Sequence, residues 1–255
     1  MREKSLSVCI LIFILILPVQ IAEQDYVNRL ITWNVGQGQW VTWVRSTSCL
    51  HFDLGGEKKY WPKFKTQLMR FCQNKKNEAF ISHWDWDHIN LISFARQSLP
   101  NFCLHGLPHG KPSKSKLTYL KKNQICQKHK HFKTRELKFD LAHASASASN
   151  EYSHVFTLIN VGLVPGDSPI SMEKRWIQHL SKTNTINLLI LGHHGSQTST
   201  SQELLQRLPH LKTSIASARK RRYGHPHKRV EQRIKKQGVS LLRTEIWGNI
   251  QIELF

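Results

Sequence analysis

Acidic side chains are scarce in this 255-residue chain, where 17 Asp and Glu stand against 37 Lys and Arg. The formal net charge is +20 and the pI is near 10.0. Solubility needs far less charge, so the excess points to a polyanionic partner. Nucleic acid, membrane phosphates and cell-wall acids are all surfaces that such a charge attracts. Also missing is any Cys-x-x-Cys spacing among the five cysteines, which argues against a zinc knuckle. Beyond the front end no apolar run is long enough to cross a bilayer, so no further membrane span is expected. The front end is basic at Met1-Arg2-Glu3-Lys4, apolar from Val8 to Leu17, and closes with Pro18 and the small residue Ala22. That run falls short of the ~20 residues a bilayer requires, so residues 1–22 read as an export signal. A clean small-x-small cleavage site is lacking, which keeps an uncleaved N-terminal anchor as the alternative. The expected location is periplasmic or secreted. In an exported chain Cys49, Cys72, Cys103 and Cys126 permit three pairings, and proximity favours Cys49–Cys72 with Cys103–Cys126.

What is present begins with enough chain for one sizeable core, so residues 23–255 read as a single domain. Alternating residues 28–34 and 40–44 predict strands about the turn Val35-Gly36-Gln37-Gly38, and Cys49 to Phe52 a third strand before Asp53. Trp61, Phe64, Leu68 and Phe71 predict a helix over 60–74. Residues 105–150 read as a basic insertion: a lysine-rich surface excursion over 105–138, then an Ala/Ser loop from Ala142 to Asn150. Strands resume at Val155 to Ile159 and Leu163-Val164. A helix carries Met172, Trp176 and Leu180, and a buried strand spans Ile186 to Leu191. Ser199 to Glu203 predicts a helix N-cap, Arg219 to Arg222 is strongly basic, and a closing β-hairpin is expected to turn near Gly248-Asn249. Strand–helix alternation of this kind predicts an α/β fold with sheet inside and helices outside.

One stretch carries the chemistry. In Ile81-Ser82-His83-Trp84-Asp85-Trp86-Asp87-His88, four metal-ligand side chains fall within six consecutive positions after an apolar strand end. Side chains that alternate there are expected to point His83, Asp85 and Asp87 one way, with Trp84 and Trp86 turned into a packed layer. So many carboxylates and imidazoles form a strongly polarised pocket that a divalent cation would neutralise. A solvated polar loop is the bland alternative, and two tryptophans between two acids fit it poorly. Further on, His193 and His194 end a buried strand at a glycine, which sets both imidazoles on the sheet rim.

The His-x-Asp-x-Asp-His pattern resembles the metallo-β-lactamase superfamily, whose usual form is His-x-His-x-Asp-His. An aspartate at the position of Asp85 is habitual in the hydrolase-like domain of the DNA-internalisation competence proteins, the ComEC family. Asn34-Val35-Gly36-Gln37-Gly38 is similar to that family's Asp-Val-Gly-Gln-Gly, and Asp53-Leu54-Gly55 to its Asp-Thr-Gly. Gly166-Asp167, His193-His194-Gly195-Ser196 and Tyr223-Gly224-His225-Pro226 resemble its remaining motifs, in its order. The resemblance covers roughly residues 28 to 255. It implies a four-layer αββα sandwich and two divalent ions, Zn or Mn, with Asp85 making Mn²⁺ or Mg²⁺ more plausible beside Zn²⁺. His83 and Asp85 would hold one ion, Asp87 and His88 the other, and Asp167 would bridge them. His194 and His225 are both candidates for the last ligand. Of His193 and His194, one would ligate and its neighbour donate a proton to the leaving alkoxide. Asp53 would brace the ligand loop, and Ser196, at a helix start, would hold a phosphate oxygen. The chain departs from the family at Asn34 and Gln39, where it has acids. The superfamily's isolated histidine has His154 as its nearest match and His143 as a weaker one.

The leading expectation is therefore a metal-dependent phosphodiesterase or nuclease acting on DNA during uptake. The alternative is a DNA-binding adaptor with a vestigial site that hands DNA to a separate membrane channel. Hydrolysis of a small lactam or thioester is a third reading, against which the basic surface argues.

Overall fold

Alternation along the opening segments lets each strand bury one face in each of two cores. The structure, a computed structural model, describes residues 28–127, 136–137 and 149–254. The segments 1–22 and 142–148 therefore lie outside the described residues. Strands β1 (Arg29–Thr32), β2 (Val41–Val44) and β3 (Ser48–Phe52) are antiparallel neighbours. Helix α1 (Trp61–Cys72) crosses to β4 (Lys76–Phe80), parallel to β3. After α2 (Trp86–Ile89) and α3 (Ile92–Ser98), β5 (Phe102–Leu104) extends the parallel set. Next come α4 (Lys114–Lys121), β6 (Glu136–Leu137), β7 (Val155–Leu158), β8 (Gly162–Val164), α5 (Ile170–Trp176) and β9 (Leu188–Ile190). The chain continues through α6 (Gln202–Arg207), β10 (Thr213–Ala216), α7 (Lys220–Tyr223), α8 (Lys228–Lys236), β11 (Ser240–Arg243), α9 (Thr244–Trp247) and β12 (Ile250–Glu253). The described strands form two six-stranded sheets, ordered β12-β1-β2-β3-β4-β5 and β11-β10-β9-β8-β7-β6.

Three buried clusters separate four layers. Leu30, Val41, Phe52 and Phe80 of the first sheet meet Phe156, Leu158, Ile190 and Ile215 of the second. Neighbours one residue along, such as Ile31, face the other way onto Phe64 and Leu68 of α1 and Ala95 of α3. On the far side Leu163 and Leu189 pack with Met172, Leu204, Leu205, Val230 and Ile234 from α5, α6 and α8. This is the expected αββα sandwich. Disulfides Cys49–Cys72 and Cys103–Cys126 are the pairs that proximity favoured. The first ties α1 to β3. Among the described residues no helix is long and apolar enough to cross a membrane.

Two expectations change. There is no closing hairpin: β11 lies parallel to β10 in the second sheet, while β12 crosses over to pair antiparallel with β1. Gly248, with φ +71°, ends α9 as a turn signal should. A local turn signal cannot say which strand the chain will pair with next, and here the open edge of β1 supplies the partner. Second, the basic stretch after residue 105 is more than a surface excursion. It contains α4, whose Leu120 is fully buried and joins the first helix–sheet core. The Cys103–Cys126 bridge and a backbone bridge between Leu104 and Ile125 hold it to the sheet edge.

Candidate metal centre

Backbone contacts seat one side of the ligand loop. Strand β4 ends at Phe80, and the chain turns through Ser82 and His83 into the single turn of α2. The Gln39 N–H donates to Asp87 O at 3.0 Å, and Leu54 N–H to His88 O at 2.8 Å. A Cβ on Gly55 would lie 1.9 Å from Asp87 O, so only glycine admits the ligand loop at this distance. The short Gly-Gln-Gly and Asp-Leu-Gly segments are thus a cradle for residues 87 and 88.

Behind the loop lies Asp53, fully buried and held at φ +56°. Its Oδ2 accepts from Gln39 Nε2 at 2.7 Å, Ser82 Oγ at 2.8 Å and His88 Nδ1 at 2.8 Å, and its Oδ1 accepts from Ser82 N at 2.7 Å. Because the Ser82 hydroxyl gives its proton to Asp53, its oxygen accepts from His83 Nδ1 at 2.9 Å. Both imidazoles therefore carry a proton on Nδ1 and turn Nε2 inward.

Those nitrogens converge on Asp167, which β8 and Gly166 deliver from the second sheet. Asp167 Oδ1 lies 3.0 Å from His88 Nε2 and 3.9 Å from His194 Nε2. Its Oδ2 lies 3.8 Å from His83 Nε2 and 3.6 Å from His193 Nε2. His83 Nε2 is also 3.5 Å from Asp85 Oδ2, while His194 Nε2 is 3.2 Å from both Asp87 Oδ2 and His88 Nε2. Among the described residues, two groups at the site have ligand atoms close enough to share an ion: His83 with His88 and Asp167, and Asp87 with His88 and His194. A third, Glu78 with His105 and Cys126, is compromised because Cys126 is in a disulfide.

Electrostatics follow from this crowding. The contact with His83 holds the Asp85 carboxyl down at about 2. Burial alone would raise Asp87, but His194 and the charge of His88 outweigh it and keep the carboxyl well below its usual value. Burial likewise opposes the charged forms of Asp167 and His88, yet their mutual attraction holds the first far down and, with Asp53, the second far up. His194 is raised for the same reason, against burial, by Asp167 and Asp87. His193 is lowered by burial, and His225 falls to about 4 through burial and the charges of His193 and His194. Without a cation the site thus balances its acids with imidazole protons. His83 Nε2 is buried without a hydrogen-bond partner. Imidazole and carboxylate donors with inward lone pairs suit a divalent ion in place of those protons.

No protein-family model matches the chain. Among curated proteins it is 24% identical over 267 residues to Recombination protein 2 of Haemophilus influenzae, covering 98% of this chain and 32% of that protein. It is 25% identical over 228 residues to Competence protein ComA of Neisseria gonorrhoeae, covering 87% of this chain and 32% of the relative. A 65-residue match to ComE operon protein 3 of Bacillus subtilis reaches 38% identity. The chain therefore spans about a third of the length of the two relatives it matches most broadly. Among solved structures, the metallo-β-lactamase fold protein YhfI from Bacillus subtilis aligns with a TM-score of 0.50 at 11% identity, over 89% of this chain and 100% of that one. The chain has the metallo-β-lactamase fold. A CmlA beta-hydroxylase mutant aligns with a TM-score of 0.52 at 12% identity, over 88% of this chain and 54% of that one.

Within this metallo-β-lactamase fold, the structure brings together His83, Asp87, His88, Asp167 and His194, with Asp85 and His193 at the margin. Asp85 leans outward to Lys116, whose Nζ is 3.3 Å from its Oδ1. His225 stands off, its ring 5.9 Å from that of His193, on a loop locked against Gly195, where a Cβ would meet Pro226 at 2.6 Å. His154 sits beside the loop by its backbone, donating to Ser82 O at 2.9 Å, and is in none of the three groups above. His143 lies outside the described residues. Ser196 is not at a helix start: α6 begins at Gln202 with Ser201 as its cap, and the Ser196 hydroxyl pairs with Thr198 Oγ1 at 3.0 Å. The cap falls within the Ser199 to Glu203 stretch read as an N-cap, and Glu173 fastens its entry by accepting from Thr200 N at 2.5 Å and Ser201 N at 2.8 Å. Trp84 is buried, but Trp86 is 43% exposed, contrary to the expected packed pair. The onset of α2 after Asp85 breaks the alternation that would have buried it. Sequence reasoning missed Ser82, Glu173 and Lys116. Only Ser82 had a local signal, as a hydroxyl beside a ligand histidine.

Proposed function

We propose that this chain is a metal-dependent phosphodiesterase that cleaves DNA in DNA uptake. The observation that carries the proposal is the placement of Asp167: one carboxylate oxygen faces His88 and His194, the other His83 and His193. His88 has a single inward lone pair and serves only one ion. We therefore assign Asp87, His88 and His194 to one cation, His83 and Asp85 to another, and Asp167 to both, with His225 as a further ligand candidate. Zn²⁺ or Mn²⁺ bound there would acidify a water and neutralise phosphoryl oxygens. The chain's own groups supply the rest. Asp53 and Ser82 hold both imidazoles in the ligating tautomer. His193, with 31% of its side chain exposed and its Nε2 3.6 Å from Asp167 Oδ2, would exchange a proton with the leaving oxygen.

DNA as substrate is supported by the +20 charge, by relatives that include a competence protein, and by Lys116 of α4 docked on the ligand loop. The expected setting is the cell envelope, with the chain exported to the periplasm or secreted, or anchored by its N-terminus, and working beside a separate channel. Incubation of the purified protein with single- and double-stranded DNA and Mn²⁺ or Zn²⁺ tests the reading. Cleavage that Asp87→Ala abolishes supports it; identical products from wild type and variant sink it. The second reading, a DNA-binding adaptor without turnover, is favoured by Lys116 at Asp85 and by Gln39 in place of an acid. Substoichiometric metal together with tight, salt-sensitive DNA binding would select it.

A further inference from the structure

An indole left in water beside a cluster of buried ligands calls for an explanation, since large apolar side chains are ordinarily covered. Trp86 lies between Asp85 and Asp87 in the ligand loop and is 43% exposed, while Trp84, two residues earlier, is buried. Its ring is fixed: Tyr119 of α4 packs against it edge-on, with centroids 5.6 Å apart at 65°. Tyr119 in turn is pinned to the same loop, its hydroxyl donating to Asn90 O at 2.9 Å and accepting from Ser93 N at 3.0 Å. Beside the indole runs an open groove lined by Lys114, Ser115, Thr118 and Lys122, and Lys58 lines the continuation past Asn90. Lys116 Nζ stands 6.0 Å from the ring centre.

A rigid aromatic face rimmed by lysines matches one ligand chemistry: a flat π-system carrying phosphates. Resting on the DNA reading given above, we infer that Trp86 is a stacking platform for an unpaired nucleobase, which positions single-stranded DNA with its phosphate toward Asp85 and Asp87. A duplex hides its base faces except at its ends, so the platform selects single strands. The lysines follow the backbone, and the open groove tolerates any base.

The test uses metal-loaded, full-length protein and phosphorothioate oligonucleotides that resist cleavage. Affinity is measured by fluorescence anisotropy for a thymidine 12-mer, an abasic 12-mer and a duplex. Wild type should bind the thymidine strand roughly 5- to 150-fold more tightly than the abasic one, the span expected of a stacked base. Trp86→Ala should erase that preference, whereas Trp86→Phe should keep most of it. Metal content is measured alongside. If Trp86→Ala loses metal, the wild-type comparison of the two strands and the Phe variant decide the question. Equal affinity of wild type for base-bearing and abasic strands overturns the platform, as does an unchanged preference in Trp86→Ala. Cleavage of ordinary DNA is scored separately. A base preference without cleavage removes the phosphodiesterase and leaves the platform; cleavage without a base preference does the reverse. Failure to bind either strand removes the platform together with DNA as partner.

Discussion

Asp53→Asn separates a residue that organises the metal centre from one that merely supports the fold. The carboxylate accepts four hydrogen bonds, three on Oδ2 and one on Oδ1, from a fully buried position. Asparagine tolerates the left-handed backbone at φ +56°, so conformational strain is not the perturbation. Its amide offers one acceptor oxygen, which will take the crowded Oδ2 position. The NH₂ then confronts the Ser82 N–H, and a buried donor is left unpaired at a cost of roughly 1–3 kcal/mol. Loss of the negative charge also weakens the hold on His88 Nδ1 and, through Ser82, on His83 Nδ1, so both ligating tautomers are held less firmly. Removing a partner behind a ligand histidine weakens metal binding by roughly 10- to 100-fold, or about 1.4–2.8 kcal/mol. Competition with a chromophoric chelator gives the metal affinity, and urea unfolding of the metal-free protein gives the stability. Both should fall. A variant that loses stability but binds Zn²⁺ or Mn²⁺ like wild type would show that the hydrogen bonds of Asp53 do not orient the ligands.

Other outcomes are equally definite. His88 and His194 hold their protons more tightly than free imidazole, so ligation must expel protons and metal affinity should rise with pH; titration calorimetry in buffers of different ionisation enthalpy will count the protons released. His51, buried and neutral with its pKa lowered to about 4, protonates first in the unfolded chain as pH falls below 6.5. Its contribution to stability should therefore fall by roughly 3 kcal/mol between pH 6.5 and 4, and urea melts of His51→Gln should show a shallower acid slope than wild type. Replacing Cys103 and Cys126 by serine removes a link between residues 23 apart in sequence and should cost roughly 3 kcal/mol, read as a lower urea midpoint. Lys116→Met releases the outward pull on Asp85 and should tighten metal binding at that side while weakening DNA binding at low salt.

How much of this could be read from the sequence follows from the range of the forces involved. Period-two and three-to-four-residue apolar spacing is local, and it placed β1 to β4 and α1 in an α/β layering, while the two-sheet sandwich was implied by the resemblance that the motifs carry. Motif order carried the fold further, and the alignment with YhfI agrees with it. Proximity sufficed for both disulfides. Three features depended on distant partners. β12 leaves the neighbourhood of β11 because β1 offers an open edge 224 positions earlier, at the pairing Arg29 with Glu253. The helix entry at Ser201 was legible as an N-cap, but the buried Glu173 that holds it, an acid distant in sequence, was announced by no local pattern. Trp86 turned outward because a single helical turn interrupts the strand-like alternation on which its burial was expected.

The pairing of β12 with β1 also governs the order of events during synthesis. β1 emerges early with one hydrogen-bonding edge satisfied by β2 and the other bare, and it stays bare until β12 has been made. An open strand edge invites pairing with any other chain, and contacts this remote in sequence close slowly. A nascent copy is therefore most prone to aggregate before β12 has been made, and chaperones that shield extended backbone would act in that interval.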